Sequence, residues 1–188
     1  SIESQKVGLT RNIYDGFYNL TDFLGADTEE ATITDLLAAR CIIAEDLVQK
    51  LPGGLGIVPS DLSLCEIDIE AIQKGISLRT VRDLCANLAY DFDVCLIDCP
   101  PSFTAASIAA LVAADEVILP VTVDAFAVGG AQEIVRQVEN LAAVNPALRV
   151  RGLLITMWTR TSVCMQGEDA VRQLDLPVLR TVIRRSCK

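Results

Sequence analysis

From Leu55 onward, short continuous runs of apolar residues alternate with longer stretches in which apolar residues recur at helical spacing. The short runs predict buried strands and the longer stretches predict amphipathic helices. Pro59 and the pair Asn145-Pro146 mark boundaries between them, and Ser60 or Asp61 is expected to cap the first helix. The predicted strands cover residues 55–59, 93–98, 116–122, 150–157 and 178–183, and the predicted helices cover residues 60–72, 78–90, 102–113, 128–144 and 164–174.

Apolar strands that alternate with helices are typical of an α/β fold, in which a mostly parallel sheet is covered by helices on both faces. A length of 188 residues favours one domain. Because ligands of such sheets bind at the carboxyl ends of the strands, the candidate site comprises residues 98–102, 123–124, 157–160 and 184–185.

Composition narrows the class of protein. Hydrophobic residues make up 51% of the chain and charged residues 22%, which excludes disordered and low-complexity proteins. The longest apolar run, from Ala105 to Ala114, is shorter than the roughly 18 residues that span a bilayer. The first residues lack the pattern of a secretory signal. We therefore expect a cytoplasmic protein without a membrane-spanning helix.

Cysteines are scattered through the apolar segments, and the chain has no histidine and no Cys-x-x-Cys pair. Their number is odd, which argues against a disulfide framework. We expect reduced thiols in the core, and we interpret Cys95 and Cys99 as packing residues. The seven cysteines lie at positions 41, 65, 85, 95, 99, 164 and 187.

The net charge of −9 is unevenly distributed along the chain. Residues 149–188 contain eight Lys and Arg against three Asp and Glu, whereas residues 1–148 contain eight against 22. A basic C-terminal end on an acidic body predicts that any polyanion would bind along that end, although an ordinary solvated surface explains the same charges.

The strongest local signal is Asp-Val-Cys-Leu-Ile-Asp-Cys-Pro-Pro-Ser, residues 93–102. Four apolar residues lead to Asp98 at the tip of a predicted strand. This is the pattern of a Walker B element, in which a buried strand holds a carboxylate that binds Mg²⁺ directly or through water. The alternative is an aspartate that only caps the turn before a helix.

The stretch from Tyr90 to Ser102 resembles the segment YDYVLIDCPPS of the ParA/MinD family, the deviant-Walker ATPases that segregate plasmids and chromosomes. Further segments resemble the family in the same order along about residues 15–185, so the chain is identified as a member. These are residues 19–25 with 32–37 (the stretch after DxDPQ), 56–64 (LIPSDLDL), 109–121 (ALVAADEVLIPV), 152–157 (GILLTM) and 181–185 (TVIPRN).

The family's phosphate loop, KGGVGKT, does not occur in this sequence. Ser4-Gln-Lys6 is similar to the residues that lead into the loop, yet Val-Gly-Leu-Thr-Arg-Asn follows. Relative to the family, the chain lacks this loop, the second strand and most of the first strand. Three explanations stay open: residues of a longer protein are omitted, the gene product is truncated or decayed, or this member has abandoned nucleotide.

The resemblance implies a ParA-type partition ATPase, with residues 1–188 as a single P-loop NTPase-like domain that is incomplete at the N-terminal loop and the C-terminus. ATP and Mg²⁺ would be its cofactors. ATP binding would close a homodimer that binds DNA non-specifically, and a ParB-like partner protein would stimulate hydrolysis. The protein would be cytoplasmic and nucleoid-associated. Whether the chain hydrolyses ATP as written stays open, because the loop is missing.

The resemblance also assigns residues to roles. Around the nucleotide, Asp98 would bind Mg²⁺, Lys6 would take the signature-lysine position at the phosphates, Asp15 would position the attacking water, and Met157 would lie near the nucleotide. The DNA-binding residues would be Arg160, Arg180, Arg184 and Arg185. Two other functions remain: a non-hydrolysing ParA-like interaction module, and a MinD-like division-site ATPase, for which a C-terminal amphipathic membrane helix is expected.

Overall fold

The computed structural model describes residues 20–38, 44–99, 103–123 and 127–186. Seven α-helices and five strands lie in these ranges, with 3₁₀ helices at Ala44–Leu47, Leu62–Glu66 and Leu141–Ala143. The helices are α1 (Leu20–Leu24), α2 (Ile33–Leu37), α3 (Ile67–Lys74), α4 (Thr80–Leu88), α5 (Ala105–Ala113), α6 (Ala127–Asn140) and α7 (Ser162–Arg172). The strands are β1 (Gln49–Lys50), β2 (Gly56–Ile57), β3 (Glu116–Val121), β4 (Arg149–Trp158) and β5 (Val178–Arg184).

The centre of the described fold is a parallel sheet in the order β3, β4, β5. The registers place Val121 opposite Ile155 and Trp158 opposite Arg184, so the three carboxyl ends lie at one edge. Helix α6 connects β3 to β4, and α7 connects β4 to β5. This arrangement confirms the α/β class that the alternating pattern predicts.

Leu153 and Ile155 of the central strand are fully buried and pack in one core cluster with residues of α6 and α7. A second cluster joins α5, β3 and α6 around Val117, and a third joins α2 to α5 around Ile67. Burial of these apolar side chains is the main stabilising contribution to the fold. No described helix has the length and apolar character needed to cross a membrane.

Two glycines permit close packing at the sheet. Gly152 in β4 has a φ of +151°, and a Cβ there would lie 3.0 Å from the carbonyl oxygen of Pro177. A Cβ at Gly167 in α7 would clash with the carbonyl oxygen of Val123. Helix α7 therefore approaches the carboxyl end of β3 more closely than any side chain permits.

The strand predicted over residues 93–98 is not part of the sheet in the described residues. Exposed and half-buried side chains alternate along it, as in an extended chain. Val94 and Leu96 are 53% and 65% exposed, whereas Cys95 and Ile97 are half-buried. Ile97 packs against the Val117 cluster. No described strand pairs with this backbone, so the prediction of a hydrogen-bonded strand is wrong here.

Two further predictions need correction. The strand predicted over residues 55–59 shortens to β2, which pairs antiparallel with β1 across a turn in which Gly53 and Gly54 have positive φ. The helix predicted over residues 60–72 is divided into a 3₁₀ helix and α3. Asp61 caps the first piece by accepting a hydrogen bond from the Ser63 N–H, so its capping role is confirmed.

Candidate functional site

Asp98 lies near the end of the extended segment 93–99, and its Oδ1 atom is buried without a hydrogen-bond partner in the described part of the chain. Burial raises the pKa of this carboxyl to about 6, against the opposing effect of the Cys99 backbone N–H that donates to it. A buried carboxylate oxygen with unused acceptor capacity fits Mg²⁺ or a water bound to Mg²⁺. The geometry is thus compatible with the Walker B interpretation.

Among the described residues no group of three or more Cys, Asp or Glu side chains is arranged to hold a metal ion. A cation at Asp98 would therefore need further oxygen ligands from water or from a phosphate, as is usual for Mg²⁺. The neighbouring Cys99 does not contribute a thiolate, because burial and the charge of Asp98 raise its pKa to about 12. Cys99 packs against the cluster around Val117, as predicted.

Met157 lies near the carboxyl end of β4 with a φ of 55°, the one non-glycine residue in the described ranges with positive φ. Such a conformation costs about 1–3 kcal/mol for a non-glycine residue and is found preferentially at functional sites. The side chain is 54% exposed. A hydrogen bond of 3.3 Å from Thr156 Oγ1 to the Val121 carbonyl oxygen holds this end of β4 against β3.

Trp158 connects the ends of β4 and β5. The Arg184 guanidinium lies over its ring, 5.5 Å from the centroid, and the Arg185 N–H donates to the Trp158 carbonyl oxygen at 3.0 Å. The indole Nε1 is buried and has no partner among the described residues. The ring therefore supports Arg184 through a cation–π contact and also packs in the Leu153 cluster.

Three of the four predicted DNA-binding arginines lie at this edge of the sheet. Arg160 follows β4, and Arg184 and Arg185 lie at the end of β5, all of them exposed. Arg180 lies four residues earlier in β5, about 13 Å away at about 3.3 Å per residue. No acidic group of the described ranges is within ion-pair distance of these four arginines.

Other C-terminal arginines have structural partners instead. Arg172 of α7 pairs with Glu168 at 2.8 Å and donates to the carbonyl oxygens of Leu179 and Arg180. Arg151 lies 3.9 Å from Glu116. Part of the positive charge in residues 149–188 is therefore used to hold β5 and β4 in place.

The sequence interpretation missed a small polar group where α7 begins. Thr161 caps the helix by accepting from the Cys164 N–H, and Thr159 Oγ1 lies 3.2 Å from the Cys164 sulfur. These contacts, with Thr159 contributing most, lower the pKa of Cys164. The sequence did contain a signal for this cap, because a threonine before a predicted helix is a common N-terminal capping residue.

Lys6 and Asp15 lie outside the described residues, as do residues 100–102 and 124. Their predicted roles stay predictions.

Comparison with known proteins supports the resemblance. A family model described as an AAA domain (AAA_31) matches residues 11–150. An uncharacterized protein of Pseudomonas putida is 32% identical over 143 residues, 74% of this chain and 54% of that protein. The chromosome partitioning protein ParA of Caulobacter vibrioides is 30% identical over 142 residues, 73% of this chain and 52% of its own length. The chain thus spans about half the length of the curated relatives it matches.

Solved structures share the fold. Cobyrinic acid a,c-diamide synthase from Mycobacterium smegmatis, crystallised with an ATP analog and magnesium, superposes with a TM-score of 0.81 at 26% identity, covering 97% of this chain and 75% of that one. McdA from Cyanothece, in its apo form, superposes with a TM-score of 0.77 at 22% identity, covering 98% and 76%.

Proposed function

Because the chain belongs to the ParA/MinD-type family of P-loop ATPases, we propose that it is all or part of a ParA-type partition ATPase that binds ATP and Mg²⁺ beside Asp98. Partition-type ATPases are among its relatives, and a structural neighbour was crystallised with an ATP analog and magnesium. For this chain, nucleotide binding, dimerisation and DNA binding are all parts of the proposal.

The observation that carries the proposal is the orphaned Oδ1 atom of Asp98. Leaving a buried carboxylate oxygen without a partner is costly, and a raised pKa is the sign of that cost. A role in binding a cation explains why the chain retains such a group. Mg²⁺, when bound, would neutralise negative charge on the phosphates, while Asp98 would hold the ion or its water in position.

The sequence lacks the glycine-rich loop that surrounds the phosphates with backbone N–H groups. We therefore expect the 188-residue chain to bind ATP weakly. Isothermal titration with ATP and Mg²⁺ measures this, and micromolar affinity would contradict it.

The role of Asp98 is tested in a version whose first 14 residues are replaced by a family segment with the KGGVGKT loop, the helix after it and the second strand. We expect this version to bind ATP and hydrolyse it, and Asp98→Ala to abolish hydrolysis without loss of fold, because the carboxylate serves the metal site rather than packing. Phosphate release measures turnover.

The matched control is Asp93→Ala, which removes an exposed carboxylate from the start of the same segment. Turnover in this variant should equal that of the parent. If the Asp98→Ala variant also hydrolysed ATP at the rate of the parent, Asp98 would only cap the turn.

The arginines at the ends of β4 and β5 extend the proposal to DNA. Arg160, Arg184 and Arg185 form an exposed basic edge, and their positive charges suit the phosphate backbone of DNA. As the family resemblance implies, binding would be non-specific, would require the ATP-bound homodimer, and would be ended by a ParB-like partner. The association with the nucleoid would follow from this DNA binding.

A second candidate is a non-hydrolysing interaction module that keeps the family fold without nucleotide. The missing loop is the observation that favours it. If the loop-restored version still fails to bind ATP while it binds DNA or a partner protein, this second function is the correct one.

A further inference from the structure

A cavity of about 310 Å³ lies at the amino-terminal edge of the sheet, between α6 and the residues where β4 and β5 begin. Its apolar part is formed by aliphatic side chains, among them the buried Val135 and Val138 of α6 and the half-buried Leu176. None of the described residues that line it is aromatic. A cavity of this volume is at the lower end of the range for small-molecule sites, so it suits a compact aliphatic group.

The solvent-exposed residues that line this cavity carry charges of both signs. Glu139 lies in the last turn of α6, Arg149 is the first residue of β4, and Asp175 lies three residues before β5. No ion pair joins any of the three to another residue in the described part of the chain. Two carboxylates and one guanidinium are therefore available to a ligand at the open end of the cavity.

These charges restrict the class of ligand. A plain cation would be repelled by Arg149, and a plain anion would be repelled by the two carboxylates. A molecule with one ammonium and one carboxylate group satisfies both signs at once. The Arg149 guanidinium can hold the carboxylate of such a ligand through two parallel hydrogen bonds, while Glu139 and Asp175 accept hydrogen bonds from its ammonium. An aliphatic group on the same molecule would lie on Val135 and Val138.

We propose that this cavity binds a free aliphatic α-amino acid of the size of valine or leucine, with its two charged groups at the open end and its side chain on the apolar residues. Strand β4 runs from Arg149 to Trp158, so the cavity lies about 30 Å from Trp158 at about 3.3 Å per residue. It shares no residue with the sites proposed for Mg²⁺ and DNA. Its test is therefore independent of the function proposed above.

Ligand-observed NMR on the 188-residue chain tests the proposal, with L-leucine as the probe. Saturation transferred from the protein should reach the methyl groups of leucine most strongly, because these groups lie on the buried valines. We expect a Kd of about 1 mM or below, which suits a ligand of so few atoms. N-acetyl-leucine lacks the ammonium group and leucine methyl ester lacks the carboxylate, so each should bind about tenfold more weakly than leucine.

Variants at the exposed end of the cavity assign each charge. Arg149→Gln should weaken leucine binding about tenfold and leave the binding of the methyl ester unchanged, because the ester has no carboxylate for Arg149 to hold. Asp175→Asn should weaken the binding of leucine and of the methyl ester alike, since both carry the ammonium group. The matched control is Glu133→Gln, which removes an exposed carboxylate from α6 outside the cavity and should leave binding unchanged.

The wild-type comparison of the three compounds decides the matter even if a variant fails to fold. No leucine binding at about 10 mM, tenfold above the expected Kd, would overturn the proposal. Equal binding of the three compounds, or leucine binding that survives both Arg149→Gln and Asp175→Asn, would do the same. Tighter binding of the methyl ester than of leucine would also overturn it, because the cavity would then prefer a plain cation, such as the lysine side chain of a partner protein.

Discussion

At the scale of single residues, the carboxyl group of Asp98 makes the stability of the fold depend on pH. Its pKa is raised from 3.8 to about 6 because burial disfavours the carboxylate, so the folded chain binds this proton more tightly than the unfolded chain does. The contribution of Asp98 to stability is therefore fully present below pH 4 and is lost as pH rises through 6.

We predict that Asp98→Asn melts at a higher temperature than the wild type above pH 6 in the absence of Mg²⁺, because a neutral amide avoids the cost of a buried charge. The difference should shrink towards pH 4. Thermal unfolding across this pH range measures it, with Asp93→Asn as the exposed control. A difference of the same size at all pH values would show that ionisation is not its cause.

At the scale of elements, the Asn145 side chain caps the carboxyl end of α5. Its buried Nδ2 donates to the carbonyl oxygens of Leu111 and Ala114 at 3.0 and 2.7 Å, and its Oδ1 accepts from the Ala147 N–H. The last carbonyl groups of a helix have no hydrogen-bond donor within the helix, and the Asn145 side chain supplies that donor here. Asn145 thus does more than end the preceding helix.

We predict that Asn145→Ala lowers the free energy of unfolding by about 2–3 kcal/mol, because two buried carbonyl groups lose their donor. Asn140→Ala, at an exposed position whose side chain makes no capping hydrogen bond, should change it by less than about 0.5 kcal/mol. Urea unfolding measures both. Equal effects in the two variants would contradict a capping role for Asn145.

At the scale of the whole molecule, the charge distribution restricts where DNA can bind. The body is acidic, and three exposed arginines without ionic partners in the described ranges, Arg160, Arg184 and Arg185, lie at the carboxyl ends of β4 and β5. Each phosphate contact adds about 0.9 to the log–log dependence of duplex DNA affinity on salt. Any binding should therefore be electrostatic and independent of DNA sequence.

We predict that Arg184→Glu with Arg185→Glu weakens binding equally on unrelated DNA sequences and flattens the salt dependence. Fluorescence anisotropy at several salt concentrations, on the loop-restored version with ATP, measures both effects. The charge-matched control is Arg79→Glu with Arg82→Glu near the start of α4, where acidic residues suit the helix dipole. An unchanged slope in the first variant, or preference for one DNA sequence, would refute this surface.

The sequence by itself determined the features that depend on local patterns. Continuous apolar runs predicted β3, β4 and β5, helical spacing predicted α4 to α7, and the residues from Tyr90 to Ser102 identified the family. These follow from the sequence because burial on one face of a helix or on both faces of a strand imposes a period that neighbouring residues display.

The tertiary structure alone decided which groups are paired. It left segment 93–99 without a strand partner in the described residues, because pairing requires a neighbour from a distant part of the chain. It placed the Arg184 guanidinium over the Trp158 ring and the Asn145 amide at the carboxyl end of α5. No sequence period encodes such contacts, since they depend on how separate elements pack and not on the spacing within one of them.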